Sequence, residues 1–167
     1  MNSSTPTLTC VVTPFIIVKP EGLAIGTSMI EEMLQRANLD VTERRTVTNW
    51  PDAARELYSS LQQADGAILE DWLSTIATMY PAYAMRAEQW CIGSKQDPTK
   101  VLDALRQCKR AIREESPLAR NLTVVYRERP NNPVRFSLIH TPDPNIDTLT
   151  REWGIINKYI CEGRAPQ

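Results

Sequence analysis

The sequence predicts an α+β sandwich, with helices packed on a sheet of about four strands. Three observations predict it. Strand-like and helix-like hydrophobic patterns alternate along the chain, most helical segments open on Pro, Asn, Asp or Ser, and no linker or repeat divides the 167 residues. With 42% hydrophobic and 23% charged residues the chain can bury a sizeable core. We expect residues 1–7 to form a flexible solvated tail and residues 8–167 a single domain.

The first element is the apolar run within TLTCVVTPFIIVKPEG, residues 7–22, read as a buried strand entering a tight Pro and Gly loop. Ser28 and Glu31 make a capping-box pattern, and Ile30, Met33 and Leu34 carry helical spacing to about Asn38. VTERRTVT, residues 41–48, reads as a strand. Asn49 and Pro51 then start a helix with Ala54, Leu57, Tyr58 and Leu61 on its apolar side. A short helix is expected over 68–79 and a strand over 86–92. Asp97 and Pro98 open a helix to about Glu115, with Val101, Leu105, Cys108 and Ile112 on one face. LTVVYRE and VRFSLIHT follow as two strands joined through the turn PNNP. Finally, Asp143 is the expected N-cap of a helix that buries Ile146, Leu149, Trp153 and Ile156.

Nineteen basic and twenty acidic residues leave a net charge of -1, so no global field exists to hold nucleic acid or an anionic membrane. Any charge-driven function must be local. A single histidine excludes a multi-histidine metal cage. Cys10, Cys91, Cys108 and Cys161 form no CxxC pair and read as thiols of a reducing cytoplasm. The most apolar stretch, Leu8 to Val18, is too short to span a bilayer and is broken by Pro14.

Three places could carry chemistry. Arg106, Lys109, Arg110 and Arg113 fall at i, i+3, i+4 and i+7, forming a cationic stripe opposite the apolar one, and Arg120, Arg127, Arg129 and Arg135 follow. The plain alternative is a solvated face paired with Glu114 or Glu115. His140 ends an expected strand just before a helix N-terminus, where a phosphate is favoured, although a lone histidine is commonly structural. Lys19 ends the first strand before a Pro and Gly turn, placing its ammonium at a sheet edge. Equally, the strand there has simply reached water.

FIIVKPEGLAIG, residues 15–26, and LIHTPDPNIDTLTREWG, residues 138–154, resemble the lysine loop and the active-site histidine segment of the nucleoside diphosphate kinase family. The resemblance implies a ferredoxin-like α/β sandwich with an antiparallel four-stranded sheet covered by helices. It also implies that His140 is the phosphorylated residue and that Glu152 orients it. Lys19, Arg110 and Arg127 fall on the phosphate-contacting lysine and arginines, Ser116 on a threonine, and Tyr58 on a pocket tyrosine. The substrates implied are nucleoside triphosphates and diphosphates carrying Mg²⁺, in a homo-oligomer.

The sequence also departs from the family. Ser137 stands for an asparagine, Thr141 and Pro142 for glycine and serine, Leu57 for a histidine, and the region between Tyr58 and Arg110 is longer. Two alternatives therefore stay open: a nucleotide-binding regulatory or scaffold module without turnover, and a kinase for a non-nucleotide acceptor.

Overall fold

The computed structural model describes residues 11–59, 63–115 and 138–161, with backbone only for 63–68 and Glu115. Its first strand, β1 (Phe15–Val18), has all four side chains fully buried. Such a strand needs neighbours on both edges and cover on both faces, which is why FIIV is continuously apolar rather than alternating. The other strands are β2 (Asp40–Val47), β3 (Ala87–Gly93) and β4 (Ile139–His140). They form a four-stranded antiparallel sheet in the order β2-β3-β1-β4. The register sets Phe15 beside Cys91, Ile17 beside Gln89, and Ile17 beside His140.

β2 is an edge strand, and its sequence blunts that edge with charge. Arg44 lies 4.0 Å over the Trp90 ring and bonds Glu31 at 2.9 Å. Arg45 reaches Gln89 at 3.0 Å and Asn157 at 2.9 Å.

The described helices are α1 (Pro20–Ile25), α2 (Thr27–Arg36), α3 (Trp50–Leu57), α4 (Gln63–Met79), α5 (Pro98–Glu115) and α6 (Ile146–Asn157). α2 packs against α5 and α3 against α6. The core is continuous from the sheet into these helices, with Trp153 of α6 edge-on to Phe15 at 5.8 Å between ring centroids.

Several expectations need correction. The Pro and Gly segment after β1 is no loop: Pro20 occupies the first turn of α1, where its missing N–H costs nothing. Ser28 does not cap α2, which is capped two residues earlier at Gly26 without a side-chain hydrogen bond. Glu31, the other half of the expected box, is instead the partner of Arg44. α4 begins five residues before the expected 68. The cap of α6 is Asn145, whose side chain accepts from the Thr148 N–H at 2.7 Å, rather than Asp143. Ile146, expected on the buried face, is half exposed, and Glu152, not expected there, is buried with Leu149, Trp153 and Ile156.

The expected tail 1–7, Leu61, the strand LTVVYRE and the first part of VRFSLIHT lie outside the described residues. Among the described residues no helix is long and apolar enough to cross a membrane.

Candidate functional site

The end of β1 and the start of β4 meet at one hydrogen bond, from the Lys19 N–H to the Leu138 carbonyl at 3.1 Å. Gly22 allows this approach. A Cβ there would lie 2.6 Å from the Leu138 oxygen and 3.0 Å from a Val18 methyl. Lys19 is thus brought beside His140 by backbone geometry. β1 is an inner strand, so the expected placement of Lys19 at a sheet edge is also corrected. Its side chain is buried.

His140 lies between two partners supplied by different helices. Its Nε2 is 2.6 Å from Glu152 Oε1 of α6, and its Nδ1 is 2.9 Å from the hydroxyl of Tyr58, the residue capping α3. The Glu152 carboxylate is acceptor-only, so Nε2 carries the proton and donates it, leaving the Nδ1 lone pair to accept from Tyr58. The tyrosine ring stands perpendicular to the imidazole, at 89°, with centroids 5.3 Å apart. Lys19 Nζ lies 5.8 Å from the centre of the tyrosine ring. Lys19, Tyr58, His140 and Glu152, predicted from distant parts of the sequence, therefore form one cluster.

Burial dominates the electrostatics of this cluster. It lowers the His140 pKa, with Lys109 and Lys19 adding to the effect and the Glu152 hydrogen bond and charge opposing it. The imidazole is consequently neutral near pH 7. Burial likewise lowers Lys19, opposed by Glu21, and raises Tyr58 far above the ordinary phenol range, helped by Glu152 and Glu21. Tyr58 is therefore a hydrogen-bond donor throughout the physiological range.

Arg110 lies on the cationic stripe of α5, exposed at the mouth of a cavity of about 200 Å³. Arg106, Lys109, Arg113, Thr141 and Asp143 line it as well. The stripe is not cleanly opposite the apolar face. Lys109 is partly buried, and its pKa is pushed down to about 8 by burial and by the positive charges of Lys19, Arg113 and Arg106. Buried Thr141, the residue after His140, lines this cavity and sets it next to the histidine cluster. Ser116, Arg127 and Ser137 lie outside the described residues.

Three contributors were not singled out as site residues from sequence. Lys109 belonged to the recognised stripe, but nothing local marks which of its four cations are drawn partly inward, as Lys109 and Arg113 are. Glu21 is almost fully buried and accepts from Trp72 Nε1 at 3.0 Å, tying α4 to the segment after Lys19. Its pKa is raised by burial, with Lys19, its own backbone N–H and Trp72 opposing. A glutamate two residues after a strand reads as solvated, so only the packing of α4 reveals it.

Chemically, the arrangement offers a neutral imidazole with one nitrogen anchored and the other aimed at a hydroxyl, next to several cations. Among the described residues no group of three or more His, Cys, Asp or Glu side chains converges on one point. No family model, curated protein or solved structure matches this chain.

Proposed function

We propose that the protein is a nucleoside-diphosphate-kinase-like phosphotransferase of ferredoxin-like fold, moving the γ-phosphate of a nucleoside triphosphate to a nucleoside diphosphate through a phosphohistidine at His140. The strand order β2-β3-β1-β4 in an antiparallel sheet supports the fold assignment. One observation carries the function: His140 is neutral, buried, and held at Nε2 by Glu152, with Nδ1 as the nitrogen able to act as nucleophile.

In the forward half-reaction the Tyr58 hydroxyl yields its place at Nδ1 to the γ-phosphate. Nδ1 attacks phosphorus in line, the Nδ1–P bond forms, and the bond to the bridging oxygen breaks. The electron pair leaves on the nucleoside diphosphate. As Nδ1 loses its lone pair, positive charge grows on the ring and the Nε2 proton becomes more acidic. Glu152 at 2.6 Å stabilises that charge. Lys19, Arg110 and Lys109 oppose the charge of the phosphate oxygens, with Arg127 and Ser116 completing the contacts that the resemblance implies. Mg²⁺ enters as part of the nucleotide substrate. A second nucleotide reverses the steps. The same reading expects a homo-oligomer in the cytoplasm.

Incubation with γ-labelled ATP and Mg²⁺ tests this. A base-stable, acid-labile phosphoprotein is expected, and it disappears in His140→Gln. Equal labelling of that variant, or no labelling of the wild type, overturns the mechanism.

A second reading is favoured by one specific contact. The Tyr58 hydroxyl already occupies Nδ1, and Pro142 stiffens the chain two residues beyond the histidine. A nucleotide-binding module without turnover would keep that arrangement. Calorimetric nucleotide binding without phosphoryl exchange distinguishes it.

A further inference from the structure

Lys19 meets phosphate in the proposed reaction, yet only 3% of its own surface is exposed. Water cannot solvate an ammonium there, so the charge persists only beside a compensating group. An acid lies two residues on. Glu21 is 1% exposed, and Pro20 between the two sits in the first turn of α1, where its ring fixes φ and limits how far one residue can swing from the other. Burial disfavours the charged form of each side chain, and each opposes that effect in the other.

Glu21 is secured from a third direction. Trp72 of α4, also 3% exposed, donates from Nε1 to Glu21 Oε2 at 3.0 Å. An indole N–H can only donate, so this bond favours the carboxylate over the neutral acid. The other titratable groups of the cluster do not offer a free negative charge to the lysine. Tyr58 of α3, whose ring centre is 5.8 Å from Lys19 Nζ, stays a neutral phenol. His140 of β4 is neutral near pH 7, Glu152 of α6 is bonded to it, and Lys109 of α5 carries the same sign as Lys19.

We propose that Glu21 is the positioning residue of Lys19: its carboxylate, clamped by Trp72, holds the lysine as an ammonium in the empty site, and α4 thereby governs the charge offered to an incoming phosphate. This deepens the proposed function and rests on it for the role of Lys19 towards phosphate. The pairing of Lys19 with Glu21 is a property of the resting protein and is measured without any phosphoryl transfer.

Carbon-13 labelling of the lysine ε-carbons tests it, because the chain has five lysines and Lys19→Arg identifies the resonance concerned. The Lys19 titration midpoint is expected to fall by about one pH unit or more in Glu21→Gln, the order of losing an adjacent opposite charge. Glutamine keeps the shape and an acceptor for Trp72, and urea unfolding checks that the variant folds. Glu21→Asp, which retains the charge, should keep the midpoint nearer to wild type than Glu21→Gln does. Trp72→Phe keeps the carboxylate but removes its donor, and should lower the midpoint by less. Affinity for tripolyphosphate, followed by calorimetry as pH rises, should decline earlier in Glu21→Gln by the same shift, while the decline due to Lys109 is common to both proteins.

A Lys19 midpoint that stays or rises in folded Glu21→Gln overturns the inference. A fall in Glu21→Gln with no change in folded Trp72→Phe overturns the part assigned to α4. A lowered midpoint with an unaltered tripolyphosphate profile, or with no labelling of His140 by ATP, supports the pairing and overturns the phosphotransfer reading alone.

Discussion

Replacing Glu152 by glutamine removes one charge from the centre of the site while keeping nearly the same shape. In the wild type the carboxylate accepts from His140 Nε2 at 2.6 Å in a pocket where both side chains are more than nine-tenths buried. Solvent screening is therefore slight. A hydrogen bond to a charged group contributes about 1.5–3 kcal/mol and a neutral one about half of that, so Glu152→Gln loses about 0.8–1.5 kcal/mol of stabilisation from the developing imidazolium. That corresponds to a roughly 4- to 13-fold slower formation of the phosphoenzyme in a single turnover.

The resting protein offers an independent check, because its single histidine makes nitrogen-15 spectra of the imidazole unambiguous. Nε2 should carry the proton and Nδ1 should not. The titration midpoint should lie below that of a free imidazole. It should fall further in Glu152→Gln, since the carboxylate is what favours the protonated ring. A protonated Nδ1 in the wild type, or a midpoint that rises in the variant, would refute the assignment of roles.

Two further outcomes follow from the same geometry. Gly22→Ala drives a Cβ to 2.6 Å from the Leu138 oxygen, and the overpacking cost of about 1–3 kcal/mol outweighs the roughly 1 kcal/mol that alanine gains in a helix. Urea unfolding should show a net loss of stability, and unchanged stability would mean that the β1 and β4 ends can separate freely. The second outcome concerns acid. Because folding lowers the His140 pKa, the unfolded chain takes up the proton first, so stability is fully present above about pH 6.5 and is lost as pH falls toward the folded value. The raised pKa of Glu21 acts in the opposite sense, so the contribution of His140 is read as the difference in slope between wild type and His140→Gln. Parallel slopes below pH 6.5 would contradict a buried neutral imidazole.

Much of the fold was legible because its signals are local. Val101, Leu105, Cys108 and Ile112 repeat with the helical period and do line the inner face of α5, and FIIV does form a fully buried strand. The misreadings occur where one local signal has two meanings. Pro20 and Gly22 suggest a turn, yet Pro20 starts α1 and Gly22 is needed because the Leu138 backbone passes against it. Asp143 and Asn145 both resemble caps, and the choice of Asn145 depends on which residue the chain leaves β4 in position to use. Ile146 fits the apolar period of α6 but sits at its exposed end.

The candidate site divides along the same line. The sequence by itself determined the residue types in order: a lysine ending the first strand, a tyrosine expected on the helix that Asn49 and Pro51 open, four cations on two turns of the helix from Pro98, a lone histidine, and a glutamate twelve positions beyond it. Only the tertiary structure decided that Tyr58 and Glu152 occupy opposite nitrogens of one imidazole, that Lys109 and Arg113 of the four cations are partly buried while Arg106 and Arg110 are exposed, and that Trp72 clamps a buried Glu21. Periodicity is a property of neighbours in the chain. Protonation and hydrogen bonding depend on desolvation and on groups from remote segments, and both are set only when β1, α3, α5 and α6 pack together.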